Sequence, residues 1–378
     1  MAFVMTGDLF RNSRAIKQLR SLASRGWRVD VFHLDGGTPP TPLPAGIRTH
    51  ALERPAGTGP TFFRAVHVLF QSSLRGRRFD LVHASDLYAL PACAEWAGVL
   101  KVPYTYDARE YYPFVAGTVR KPWARWWWAR LERRYIRHAS AVFTVSESIA
   151  RALARDYRIE TPDVVHNAPL AEPPEAAAPA LTLRSMLPDP DRPIVLHLGL
   201  MKAHRGGGTL VRAMTRVPEA RLVFLGHGPE KEALQRLARS KGVADRVHFL
   251  DPVPPDNIRE TIRSADLGLT LLEDTCLNHR FALPNKFFDY IHAGLPVLAS
   301  DLDEVRRIVE RFQLGETVSA KDPEAVGRFI QLMLDRRTTA PWASGLTRAA
   351  ETFSWESASQ RFLDRLDAVM ASDPSSNV

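Results

Sequence analysis

The sequence predicts an α/β protein built as two doubly wound halves, each a parallel sheet covered by helices. Three observations predict it. Short apolar runs alternate with amphipathic stretches through the first third of the chain, and the same alternation restarts at Ile194. Between them, residues 171–193 are rich in proline and alanine and carry no apolar period. The length of 378 residues is too great for one compact domain and suits two of ordinary size. Sheets of this kind bind ligands at the carboxyl ends of their strands, and two facing halves make a cleft.

Phe3 to Met5 reads as the first strand. Ile16, Leu19, Leu22 and Ala23 then share one helical face, and Gly26 stops that helix. Val29 to Leu34 follows as a strand, which completes a βαβ unit. The pattern returns at Phe79–His83, Val102–Tyr106 and Ala141–Val145, where Ser146 is a good helix N-cap. Proline withholds the backbone donor that a helix or inner strand requires, so 171–193 reads as a linker. In the second half the expected strands are Ile194–Leu198, Leu222–Leu225, Val247–Leu250, Leu267–Leu272 and Val297–Ala299. The expected division is 1–175, 176–353 and 354–378, the last holding a helix near Trp355–Met370 that can cross back onto the first half.

Composition narrows the function. At 45% hydrophobic and 24% charged the chain is an ordinary globular one, which excludes disorder. Cys93 and Cys276 are far apart and have no metal-ligand spacing, which argues against a disulfide framework or a zinc site. The short apolar start lacks a signal-peptide core and no long uncharged apolar run occurs, so the expectation is a soluble, cytoplasmic chain. The net charge of +8, carried mostly by arginine, suits an acidic partner (nucleic acid, an anionic membrane or a phosphorylated small molecule) or equally a basic compositional bias with no function attached.

Three segments carry chemistry. Strand Ile194–Leu198 runs into Gly199, Lys202, His204, Arg205 and the glycines 206–208. Glycines let backbone approach a ligand, a following helix offers free amides, and Lys202 and Arg205 add full charges, a combination suited to a diphosphate. Gly226-His-Gly-Pro229 is a second strand-end turn, either a plain tight turn or a neighbour of a nucleotide base. The most specific segment is Leu283-Pro-Asn-Lys-Phe-Phe-Asp-Tyr-Ile-His-Ala-Gly-Leu-Pro-Val297. Pro284 starts a helix, Asn285 and Lys286 occupy its first turn, and Gly294 ends it. Asn285 and Asp289 share one face, while Phe288, Ile291 and His292 turn elsewhere to pack. A lysine at a helix N-terminus can hold phosphate, and a carboxylate one turn deeper can accept two ribose hydroxyls.

Residues 120–137 interleave tryptophan with arginine. On a helix, Trp127, Leu131 and Tyr135 form an inward stripe, leaving Trp123 and Trp126 near Arg130, Arg133 and Arg137. That outer face suits solvent, an anionic lipid surface or a carbohydrate acceptor, and nucleic acid least.

Together these segments resemble the family 4 retaining glycosyltransferases of the two-domain GT-B fold, in which two Rossmann-like domains face each other across a cleft. The matching stretches are the Gly199 turn with Lys202 and Arg205, Gly226–Pro229, Arg246–Leu250, Ser264–Gly268 and Leu283–Val297. In the first half Asp107-Ala-Arg-Glu110, Val145–Ala150 and His166–Pro169 match as well. The resemblance implies transfer of a sugar from a UDP- or GDP-type nucleotide sugar, a co-substrate rather than a cofactor, to a glycan, lipid-linked or small-molecule acceptor.

On this resemblance the nucleotide-sugar site comprises Gly199, Lys202, Arg205, Gly206, Gly226, Gly228, Leu283, Pro284, Asn285, Lys286 and Asp289. Asp107, Arg109 and Glu110 are the catalytic candidates. No metal is expected, because cations and helix dipoles can stabilise the leaving group. Two positions depart from the family. It commonly has two glutamates separated by seven residues, which here are Phe281 and Asp289, and Arg109 stands where many relatives carry histidine. Arginine cannot serve as a general base, but front-face transfer demands positioning more than a discrete base. The alternatives are a GT-B protein that binds nucleotide or glycan without turnover and, less favoured, a sugar-nucleotide epimerase. The expected location is the cytoplasm, with peripheral contact to the inner membrane face through 120–137.

Overall fold

The computed structural model describes residues 1–172, 181–337 and 342–372. Two compact units divide the chain. The first is Met1–Asn167 together with the chain from Glu356 onward, and the second is Ala168–Trp355.

The first unit runs β1 (Ala2–Met5), α1 (Ser13–Ser24), β2 (Val29–Leu34), β3 (Ile47–Leu52), α2 (Gly59–Leu74), β4 (Val82–Ala84), α3 (Leu90–Leu100), β5 (Tyr104–Ala108), α4 (Pro122–Ile136), β6 (Ala141–Thr144), α5 (Glu147–Tyr157) and β7 (Asp163–Val164). Its sheet is parallel throughout, in the order β3-β2-β1-β4-β5-β6-β7. The order reverses direction between β1 and β4, so their carboxyl ends form the crevice where such sheets take ligands. Central strands are buried on both faces and read as continuous apolar runs, which is why β1 was visible in sequence. Edge strand β3, Ile-Arg-Thr-His-Ala-Leu, is half exposed and polar, so no apolar run announces it. Ser146 caps α5, accepting from the Ile149 amide at 3.4 Å.

The second unit runs β8 (Ile194–Leu198), α6 (Gly207–Ala213), β9 (Arg221–Leu225), α7 (Lys231–Ser240), β10 (Val247–Leu250), α8 (Ile258–Ile262), β11 (Leu267–Thr270), α9 (Leu277–Phe281), α10 (Asn285–His292), β12 (Val297–Ser300), α11 (Asp303–Phe312), β13 (Gly315–Val318), α12 (Pro323–Asp335) and α13 (Trp342–Thr352). Its parallel sheet is ordered β10-β9-β8-β11-β12-β13 and reverses between β8 and β11. Tyr290 of α10 locks that reversal. Its hydroxyl accepts from the Leu198 amide at 2.9 Å and reaches the carbonyls of Leu196 and Leu269 at 3.0 and 3.1 Å. Gly268 makes room for the ring, because a Cβ there would lie 2.4 Å from it.

The structure corrects the expected linker. The first unit ends at Asn167, and the expected boundary at 175/176 lies outside the described residues. Residues 181–193 belong to the second unit. Leu183 and Leu187 join its core, the Leu183 amide donates to Thr261 O at 3.2 Å, and Arg184 pairs with Asp266 at 2.8 Å. Proline limits regular structure in this segment to one 3-10 turn, Arg184–Met186, without preventing burial.

Helix α14 (Trp355–Ala371) is part of the first unit from Glu356 on. Phe362 is fully buried, 5.0 Å from the Phe143 ring and 5.8 Å from His83, and Arg365 pairs with Asp163 at 3.3 Å.

Helix α4 also departs from expectation. Trp127, Leu131 and Tyr135 are only half buried; the deepest positions are Ala124, Glu132 and Ile136. Trp127 and Trp128 meet Phe63 edge-on at 5.0 and 5.6 Å. Glu132 accepts hydrogen bonds from the hydroxyls of Tyr106 and Tyr157, both at 2.7 Å. Burial pushes its carboxyl up to about 7, against the lowering effect of those two bonds. Trp123 and Trp126 stand 61% and 64% exposed, with the Arg130 guanidinium over the Trp126 ring. Among the described residues no helix is long and apolar enough to cross a membrane.

Candidate active site

In the second unit the site grows from the carboxyl end of β8. The chain leaves the strand through Gly199, whose φ of +92° disfavours residues with a side chain and whose Cβ position faces open space. Two backbone bonds tie this turn to the turn after β9: Gly199 N donates to Leu225 O at 2.8 Å, and Met201 N to His227 O at 2.7 Å. Gly226 and Gly228 permit that nesting, since a Cβ on either would lie 2.3 Å from Gly199 O or 2.1 Å from Met201 O. This packing accounts for both glycines, so Gly226–Pro229 is first of all a tight turn. Gly206, at φ +75°, lets the turn close onto the end of β11, where a Cβ would lie 2.4 Å from that of Leu271.

Cationic groups gather at this reversal point. Lys202 is exposed and Arg205 half buried. Lys286 reaches in from the first turn of α10, its Nζ 3.1 Å from Nε2 of the buried His197 on β8. Burial first, and then the charge of Arg205, lower the Lys286 ammonium to about 7, with Asp289 opposing. His279 is lowered by burial foremost, against the raising contact with the Glu273 carbonyl, and the fields of Arg205, His204 and Lys202 all reach it. His204 is paired with Glu273 at 2.9 Å. The structure therefore brings Lys202, Arg205, Lys286 and Asp289 together beside the Gly199 turn.

Three further expected members of this site lie on or just before α10. Leu283 is a core residue, and Pro284 sits just before α10, accepting from the Phe287 amide at 2.9 Å. Asn285 opens the helix and is exposed. Phe287, Phe288, Tyr290, Ile291 and His292 are buried, which leaves Asp289 on the half-exposed face. His197 and His279 escaped the sequence reading. A histidine inside an apolar strand looks like core, and only the fold brings it under Lys286.

In the first unit Asp107, a catalytic candidate from the sequence, sits in a buried ion pair. Its side chain is fully buried, and both oxygens accept from Arg14 at 2.8 Å, with Gln18 adding a third bond at 3.0 Å. Burial would raise this carboxyl, but Arg14, then Arg109 and His83, override it and hold it at about 2. Arg14 also donates to the Val165 carbonyl. The Asp107 side chain presents no exposed surface. Arg109 lies at its edge, Nε 3.7 Å from Asp107, and donates to Ser85 Oγ, with its side chain 16% exposed. Glu110 is exposed. Asp86 pins the crevice, accepting from the amide and hydroxyl of Thr6 at 2.7 Å and from the Ala89 amide at 3.0 Å. His83 beneath it is neutral, lowered by burial to about 3.

Residues 13–168 match the glycosyl transferase 4-like domain, and residues 192–336 match glycosyl transferases group 1. A sulfoquinovosyl transferase of Arabidopsis thaliana is 24% identical over 46% of this chain and 33% of its own length, so the chain spans only about a third of that relative. The D-inositol 3-phosphate glycosyltransferase of Stackebrandtia nassauensis is 26% identical over 93% of this chain and 85% of its own. Among solved structures the HepE protein of Anabaena, in complex with UDP-glucose, superposes with a TM-score of 0.71 at 15% identity, covering 97% of this chain and 99% of that one. The two family models together cover most of the chain, each over one of the parallel sheets, and the chain belongs to the family 4 glycosyltransferases of the GT-B fold.

Proposed function

We propose that this protein transfers a sugar from a nucleoside diphosphate donor to a hydroxyl of an acceptor, with the anomeric configuration retained. The observation that carries this reading is the cluster of Lys202, Arg205 and Lys286 where the second sheet reverses, beside a turn that is open at Gly199. Three cations there can hold the diphosphate and stabilise its charge as the bond from C1 to the phosphate oxygen breaks. The new bond joins C1 to the acceptor oxygen, and the acceptor proton leaves with the departing phosphate. Asp289 takes the ribose hydroxyls, and no divalent ion is required.

The first unit is the acceptor side, with Arg109 and Glu110 at the crevice contacting sugar or acceptor. Titration with UDP, GDP and ADP, with and without Mg²⁺, tests the reading. One preferred diphosphate, little metal dependence and slow donor hydrolysis are expected; no affinity for any of them at millimolar concentration defeats it. Asp289→Asn removes a charge-assisted hydrogen bond worth about 1.5–3 kcal/mol, so nucleotide affinity should fall roughly 10- to 100-fold. An unchanged dissociation constant would remove Asp289 from the ribose.

Phe281 sustains a second reading, a protein that binds nucleotide without turnover. Tight nucleotide binding with neither transfer nor hydrolysis of the donor would establish it. The acceptor we favour is lipid-linked, because two tryptophans stand exposed beside arginine on α4. Sedimentation with anionic liposomes should weaken at least about tenfold in Trp123→Ala/Trp126→Ala, since burying one large apolar side chain is worth about 1.5–3 kcal/mol. Equal sedimentation of variant and parent would dismiss docking through these residues.

A further inference from the structure

We infer that the donor diphosphate binds together with a proton, which Lys286 takes up while the neutral ring of His197 holds its ammonium in place. This rests on the nucleotide-donor reading above and adds to it a residue and a proton.

The geometry is a lysine with a neutral partner. His197 is 1% exposed in β8, and its Nε2 lies 3.1 Å from Lys286 Nζ. Two cations at that distance in a buried setting are excluded energetically, so one of the pair is neutral. Burial, with the charges of Lys286 and Arg205, puts His197 far below its ordinary range, which makes the ring the neutral member. Nε2 then accepts from the ammonium, which leaves the hydrogen on Nδ1, a buried atom without a close hydrogen-bond partner among the described residues. The Phe224 ring packs 5.2 Å from the imidazole and fixes its plane.

The charged groups whose fields reach Lys286 come from two elements. Arg205, on the turn before α6, disfavours the ammonium, and Asp289, one turn further along α10, favours it. Arg205, His204 and Lys202 bear in turn on the neighbouring His279, whose own pKa burial lowers. With its ammonium lowered to about 7, Lys286 is about half neutral at pH 7 in the unliganded protein. A diphosphate adds negative charge to that of Asp289, and the bound state then keeps Lys286 protonated well above that pH.

Proton uptake per nucleotide should therefore be about 0.5 at pH 7 and about 0.9 at pH 8, and apparent affinity should fall up to about tenfold per pH unit above 7. The terminal phosphate of a nucleotide titrates near 6, so pH 8 isolates the protein's contribution. Calorimetric titration of the full chain with UDP and with GDP at pH 8, in HEPES and in Tris, reads the uptake from the dependence of the heat on buffer ionisation enthalpy. The wild type should take up about 0.9 proton, whereas Lys286→Arg, charged at every accessible pH, should bind with uptake near zero.

His197→Phe removes the acceptor, so the pH midpoint of binding should move down by about one unit and the affinity at pH 8 should drop about tenfold; His197→Asn, which keeps an acceptor oxygen, should restore both. Because either variant could fail to fold, ¹³Cε NMR titration of the wild type gives an independent reading. One lysine resonance should titrate near 7 and move above 9 with UDP. Binding without proton uptake, uptake that persists in Lys286→Arg, or lysines that all titrate near 10.5 would overturn the inference while leaving the donor reading intact. Failure of both nucleotides to bind would remove the donor reading, and this inference with it.

Discussion

Asp107→Ala should destabilise the first unit by about 3–5 kcal/mol, the cost of leaving a buried guanidinium without its carboxylate. Arg14 is 4% exposed, and both of its donors to Asp107 are at 2.8 Å. Removing the carboxylate strands that charge in the interior beside the like charge of Arg109, with the Val165 carbonyl still accepting from it. Urea unfolding followed by tryptophan fluorescence reads the effect, because Trp27, Trp96, Trp123, Trp126, Trp127 and Trp128 all lie in this unit. Arg14→Met/Asp107→Leu removes both charges together and should be far closer to wild type, since replacing a buried pair by apolar groups is often neutral. An Asp107→Ala protein with wild-type stability but no turnover would contradict this structural role and assign Asp107 to the chemistry.

Glu132→Gln should make the first unit more stable above pH 7 and change little near pH 4. The folded protein raises the Glu132 carboxyl from 4.5 to about 7. A raised acid contributes its full stability below the unfolded value, about 4.5, and loses it as the pH rises through about 7. The shift corresponds to a penalty on the order of 3 kcal/mol by pH 8.5, which an uncharged glutamine does not suffer. Its amide can still accept from one tyrosine hydroxyl and donate to the other, so the contacts to Tyr106 and Tyr157 have a replacement. Urea midpoints at pH 4.5 and 8.5 for both proteins provide the check. Parallel pH profiles would mean that Glu132 stays ionised and that water or an unrecognised charge solvates it.

These two residues show where sequence reasoning reaches its limit. Asp107 lies in a matching segment at a strand end, where an acidic residue reads as catalytic. Its partners Arg14 and Gln18 come from α1, more than eighty positions earlier, and nothing local announces them. Glu132 sits among arginines on a helix whose tryptophans draw the eye inward, yet the buried line is Ala124, Glu132 and Ile136. Two tyrosines from β5 and α5 make that burial tolerable. Segment 181–193 misled for a related reason, because proline content reports backbone capacity for regular structure and says nothing about burial.

The sequence by itself determined the two parallel sheets, because strands buried on both faces must be apolar runs and their crossover helices must be amphipathic. It also determined the positions of the glycine turn and the α10 segment, since positive φ and helix entry are local demands that few residues meet. Tertiary structure alone decided the state of the charges. Whether Asp107 faces substrate or Arg14, whether Lys286 is an ordinary ammonium or one poised near neutrality, and whether Glu132 is solvated all depend on neighbours distant in the chain. Burial and pairwise charge are properties of three-dimensional surroundings, and no local pattern encodes them.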